Sequence, residues 1–259
     1  PILGSHDQIA SIGREALLTF KKKHYRPDNT VLAIAGQFDR TQFRDMAERL
    51  LGGWHADGET HIPAPVEGTT PRVLTRKKDI EQVHICLAFP GVEQDDEDLY
   101  PISVMNNLFG GGMSSRLFQR IREEMGAAYS VYSFPSTYTN CGTFTVYAGT
   151  SPETAQQVAD ELLRQIRLLR DGGVTQEEFD MAKEQLKVSY VLGLESSSSR
   201  MSAIGRSKLL RGRAVDPQDV IRKIEAVTKE DVERAAHRMF GRPFSASAVG
   251  RNIDGLKLL

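Results

Sequence analysis

One stretch limits what this chain can fold into more than any other. It runs Gly110-Gly111-Gly112, then Met113-Ser114-Ser115-Arg116-Leu117-Phe118-Gln119-Arg120-Ile121-Arg122-Glu123-Glu124-Met125, then Gly126-Ala127-Ala128-Tyr129-Ser130-Val131-Tyr132. Three consecutive glycines give a mobile or sharply turned backbone. Ser114 or Ser115 is placed to cap a helix in which Leu117, Ile121 and Met125 recur every fourth residue, with Phe118 widening the stripe. Gly126 ends that helix, since glycine takes a left-handed terminal conformation without strain. From Ala127 the pattern changes to period two, which predicts a strand. Arg122 therefore stands in the last helical turn, bordering the apolar stripe one turn after Phe118. Tyr129 lies on the strand, sharing a face with Val131.

A guanidinium and a phenol held on two rigid elements beside a glycine turn can both donate to one peptide carbonyl. A plainer reading has Arg122 favouring the negative end of its helix and Tyr129 packing under the sheet. Spacing alone leaves both open.

The rest of the chain supplies the context. Ser5 and Gln8 form a capping box for a helix through Ile9, Ile12, Leu17 and Phe20, closed by Lys21-Lys22-Lys23. Pro27 breaks it, a short apolar strand Val31–Ala35 follows, and a helix capped by Asp39 or Thr41 runs to Gly52-Gly53. Between residues 56 and 71 composition shifts to Gly58, Pro63, Pro65, Gly68 and Pro71, which predicts a linker. Residues 1–55 thus form one incomplete lobe, with a single strand and two helices, too little to bury a sheet. Residues 72–259 form the second lobe.

In the second lobe, Gln82–Phe89 predicts a strand, Asp95–Asp98 an acidic helix start, and Leu99–Phe109 an amphipathic helix leading to the glycine turn. A hairpin turning at Thr139-Asn140 follows Tyr129, then a long helix to Gly172-Gly173 and another opened by the capping box Thr175/Glu178. Three further helices and a closing strand, Phe244 to Val249, complete it. One internal echo links the lobes. Helix, Tyr25, Arg26-Pro27, apolar strand and Gly36 match helix, Phe240, Arg242-Pro243, strand and Gly250.

Charge and composition exclude several functions. Lys+Arg 33 against Asp+Glu 34 leaves a formal charge of -1, so no global field draws nucleic acid or an anionic membrane. No apolar run approaches the roughly 20 residues that span a bilayer. Cys86 and Cys141 form no C-x-x-C pair, and buried free thiols fit a reducing, cytoplasmic compartment. The Ser196–Ser199 tract has no histidine or aspartate arranged beside it for nucleophilic catalysis.

Taken with its order and spacing, the run Gly110–Tyr132 resembles the second-lobe signature of the pitrilysin and mitochondrial processing peptidase family of zinc metallopeptidases. Members carry a glycine turn, a helix reading roughly S-R-L-F-x-x-I-R, and G-x-x-Y at a strand start. The resemblance extends over essentially all 259 residues. It implies an α+β fold, ferredoxin-like, an antiparallel sheet with helices packed on one face. It also implies that Arg122 and Tyr129 bind the substrate backbone and help polarise the scissile carbonyl, and that Gly110, Gly111 and Gly112 form a substrate-contacting loop.

That family holds zinc with H-x-x-E-H on a helix, the glutamate activating water. Among His6, His24, His55, His61, His84 and His237 none begins such a motif. His55 and His61 at the linker lack a third ligand, His84 reads as a partnered sheet histidine, and Glu233 with His237 is one ligand short. The expectation is therefore that zinc belongs to the full-length parent and that this chain binds none. Pro1 in place of Met fits a truncated piece; the alternative is action beside a separate zinc-bearing subunit. The expected partners are a peptide or unfolded protein substrate, the missing N-terminal lobe or that separate subunit, and a second copy in a homodimer. A second function class remains: a non-catalytic peptide-binding or assembly subunit, like the respiratory-complex core proteins that resemble this family.

Overall fold

Val83, Ile85, Leu87 and Phe89 alternate with His84, Cys86 and Ala88, and the alternation marks the middle strand of a sheet. The first four are at most 1% exposed, while their neighbours face the other side of the sheet and are only partly covered. In the computed structural model of the chain, which describes residues 2–55, 64, 66, 68 and 70–259, these residues form β2 (Val83–Pro90). Most of the expected 56–71 linker, His61 included, lies outside the described residues.

The chain divides into two units, Pro1–Pro63 with Leu192–Asp216, and Ala64–Val191 with Pro217–Leu259. In the second, β1 (Val73–Lys77), β2, β3 (Ala128–Thr137), β4 (Gly142–Thr150) and β5 (Ser245–Gly250) form a sheet in the order β1-β5-β2-β4-β3. The four strands from β2 onward, with α4 (Leu99–Phe109) between β2 and β3 and α5 (Ala155–Arg170) after β4, are the expected ferredoxin-like antiparallel arrangement. The edge departs from the expectation: β1 pairs with β5 in parallel. Parallel neighbours need a long crossover, and here the whole lobe between them supplies it.

Helices cover one face. Val158, Leu162 and Leu169 of α5 are fully buried, as are Val232 and Ala236 of α9 (Lys229–Phe240). The Phe240 ring meets Phe89 at 4.9 Å and Phe144 at 5.6 Å, both edge-on, and Phe109 at 5.7 Å. The acidic start of α4 does more than favour a helix dipole. Asp98, 1% exposed, lies 2.6 Å from Arg238 and 3.0 Å from Arg234, and Asp96 takes Arg238 at 3.0 Å, tying α4 to α9. Glu233, read from sequence beside His237, pairs instead with Lys229 at 2.7 Å.

In the first unit the Ser5/Gln8 capping box forms as expected, opening α1 (His6–Ala10). Asp39 caps α3 (Arg40–Leu51), and Ser196 of the serine tract caps α7 (Ser197–Arg211). Residues 31–35, predicted as a strand, form none. Backbone donors and acceptors of a strand are satisfied by a neighbouring strand, and among the described residues of this unit none lies alongside. The apolar stripe residues Leu17 and Phe20 of α2 (Arg14–His24) and Leu50 of α3 are exposed.

Candidate substrate-clamping site

The site begins where α4 ends. Gly110 caps it, and the Ser133 amide of β3 donates to the Gly110 carbonyl at 3.0 Å. A Cβ on Gly110 would stand 2.5 Å from the Ser133 nitrogen, and one on Gly111 2.8 Å from the Asn107 Cα. These two glycines are required by close backbone approach. Gly112 is different: nothing lies within 4 Å of its Cβ position. Gly110→Ala is accordingly expected to destabilise the fold by about 1–3 kcal/mol through overpacking. Gly112→Ala should stay within about 0.5 kcal/mol of wild type. Urea unfolding of the two variants checks the contrast, and equal stabilities would refute it.

Ser115 does not cap the next helix as expected. Its hydroxyl donates to the Gly112 carbonyl at 2.6 Å, closing the turn. The helix itself is wider than an α-helix: Phe118–Glu124 has π geometry, with the Met125 amide reaching the Arg120 carbonyl. Short π segments are frequent at functional sites. Leu117 and Ile121 are fully buried as the stripe predicts, and Gly126 takes φ +59°, the left-handed stop read from the sequence.

Arg122 is exposed, and its guanidinium carbon sits 4.9 Å from the Phe118 ring centre and 5.9 Å from that of Tyr129. The structure thus brings the arginine and the phenol together at the surface of one unit. Tyr129 arrives there by a route the sequence reading did not foresee. The ladder pairs Ala128 with Thr150 and Ser130 with Gly149, leaving Tyr129 as the extra residue of a β-bulge. Tyr129 and Val131 therefore do not share a face: Val131 is 5% exposed and Tyr129 74%. The Thr150 hydroxyl, donating to the Ala127 carbonyl at 2.5 Å, holds the strand just before the bulge. A signal was present in the sequence. Ala128 and Val131, three apart, cannot both face inward on a regular strand.

Two arginines on the same helix face elsewhere. Arg116 forks onto Glu178, Nε to Oε1 at 2.5 Å and Nη2 to Oε2 at 2.6 Å, at the start of α6 (Gln176–Gly193). Arg120 donates from Nε to Glu161 of α5 at 3.2 Å. The Glu161 carboxyl is held down to a pKa of about 2, chiefly by hydrogen bonds from Arg164, against an opposing push from burial and with further help from Gln165 and Arg120. For Glu178, burial pushes upward, but Arg116 and the capping bonds from Thr175 outweigh it and leave the carboxyl below its ordinary value. Behind the bulge, on the open face of the sheet, His84 Nδ1 and the Tyr147 hydroxyl are 2.6 Å apart, the partnered histidine expected from sequence. Burial raises the Cys86 thiol pKa, and Cys86 and Cys141 are both free.

Among the described residues no group of three or more histidine, cysteine, aspartate or glutamate side chains stands together. The residues that make up this site do not fit a zinc ion.

The profile of the peptidase M16 inactive domain matches residues 11–186. The chain belongs to the peptidase M16 family. This is the pitrilysin-like zinc peptidase family that the 110–132 signature resembles. Curated relatives include the uncharacterized zinc protease YmxG of Bacillus subtilis, 37% identical over 96% of this chain and 60% of its own length. An uncharacterized zinc protease of Streptomyces coelicolor is 34% identical over 96% of this chain and 56% of its own. This M16 chain thus spans somewhat more than half the length of these relatives. Among solved structures, a peptidase M16 inactive domain from Pseudomonas fluorescens superposes with TM-score 0.83 at 21% identity, over 96% of this chain and 60% of that one. A chain of complex III2 from Candida albicans reaches 0.85 at 22%, over 99% and 63%. At these identities the two structures show the fold alone.

Proposed function

We propose that this M16 chain supplies the substrate clamp of a zinc-dependent endopeptidase acting on unfolded or short peptides, with the zinc held outside the described residues. The observation that carries the reading is the Arg122 guanidinium 5.9 Å from the Tyr129 ring, both groups exposed at the end of a π turn and on a β-bulge. One guanidinium N–H and the phenol O–H can each donate to a lone pair of the same peptide carbonyl there. At the other end of the same helix nothing lies within 4 Å of a Cβ on Gly112, which leaves the backbone there room for a peptide to approach. The family membership and the relatives named zinc proteases support the peptidase class.

Arg122→Ala is expected to lower the affinity of an unstructured, fluorescein-labelled peptide for this chain by about tenfold or more, since a charge-assisted hydrogen bond contributes roughly 1.5–3 kcal/mol. Fluorescence anisotropy measures it, and an unchanged affinity would end the clamp reading. A second reading, an assembly subunit without catalysis, is compatible with the same fold, which a complex III chain shares. The same titration separates the two, because a scaffold has no reason to bind peptide through Arg122.

A further inference from the structure

The helix that carries Arg122 is short and lies between two glycine turns, so its rotation about its own axis decides where the guanidinium points. We infer that Glu161 and Glu178 are positioning residues that set this rotation and thereby aim Arg122 at Tyr129. The inference rests on the clamp reading above.

Leu117 and Ile121 seat one side of the helix in the core. Apolar packing is non-directional, and by itself it tolerates a roll of a few tens of degrees. Arg116 and Arg120 stand one turn apart and therefore on one flank. Arg122, two residues past Arg120, lies close to half a turn away on the opposite flank. The anchored flank is tied to two different helices. Arg116 forks onto Glu178 of α6 and also donates to the Gly173 carbonyl. Arg120 reaches Glu161 of α5.

Neither carboxylate is free to follow the arginine. Glu178 accepts from the Thr175 amide at 3.0 Å and its hydroxyl at 2.8 Å. Glu161 accepts from Arg164 at 2.7 and 2.8 Å and from Gln165 at 2.8 Å. Side chains of Arg116 and Glu161 are 14% and 10% exposed. Burying ion pairs is a poor source of stability, because desolvation offsets most of the attraction. What such pairs add is geometry, since a charge-assisted bond holds its two groups at a set distance and angle. One fork, Arg116 on Glu178, and one single bond, Arg120 Nε on Glu161, lie on one flank and define the bearing of the other, while Arg120 Nη1 donates to Glu124 within its own helix.

The test is a double-mutant cycle read by affinity for the same labelled peptide, with Tm recorded for every variant. Glu161→Gln and Glu178→Gln are each expected to weaken binding by about threefold or more when Arg122 is present, and to have no further effect in an Arg122→Ala background. Should Glu161→Gln fail to fold, Arg120→Gln replaces it, since Glu161 then keeps Arg164 and Gln165. Equal losses in both backgrounds would mark a general structural effect and overturn the positioning role, as would unchanged affinity in the single variants. If Arg122→Ala itself binds as wild type, the clamp fails and this inference with it. A loss in Arg122→Ala with additive glutamate effects overturns the positioning role alone.

Discussion

Tyr129→Phe, made in the longer zinc-bearing protein proposed above, is expected to lower kcat by about tenfold or more, with KM little changed. The substitution removes one oxygen and keeps the ring. Because the ring faces Arg122 at 5.9 Å, its packing and cation–π contact survive. Only the hydroxyl's donation is lost. A donor aimed at a carbonyl oxygen interacts more strongly as negative charge grows on that oxygen, so its removal falls on the transition state rather than on ground-state binding. The β-bulge leaves Tyr129 74% exposed on a strand otherwise paired with β4 along its length. A steady-state assay on an unfolded peptide substrate measures the effect, and unchanged kinetics would refute the donor role.

Phe240→Ala is expected to cost the second unit about 3–5 kcal/mol, the range for deleting a buried aromatic side chain. Phe240 is 5% exposed and joins four elements at once: its own helix α9, Phe109 of α4, Phe89 of β2 and Phe144 of β4. Its loss removes apolar burial and three ring contacts, and strands around the gap cannot collapse independently because they are hydrogen-bonded to one another. Urea unfolding followed by circular dichroism reads this, and a loss below about 1 kcal/mol would contradict the core described here.

Much of this fold was legible because it is local. Alternation in Gln82–Phe89, the capping boxes at Ser5/Gln8 and Thr175/Glu178, and the left-handed Gly126 depend on a few neighbouring residues, and each stands where its pattern puts it. What escaped depends on partners distant in sequence. Residues 31–35 have the composition of a strand but, among the described residues of their unit, no neighbouring strand to complete one, whereas the echoing segment at 245–250 lies between β1 and β2 and becomes β5. The parallel β1 edge escaped for the same reason. At the site, the arginine and tyrosine could be named from the signature and their resemblance to a family. The π turn, the bulge, and the carboxylates of Glu161 and Glu178 could not. They are set 41 and 62 residues from their arginines, and no local pattern encodes such a pairing.

The central claim is that Arg122 and Tyr129 hold one peptide carbonyl between them. A crystal structure of the protein with a bound, uncleaved peptide tests it directly. The Arg122 guanidinium and the Tyr129 hydroxyl are expected to lie both within about 3 Å of a single main-chain carbonyl oxygen. A peptide bound with both side chains left to solvent, or bound elsewhere on the chain, would contradict it.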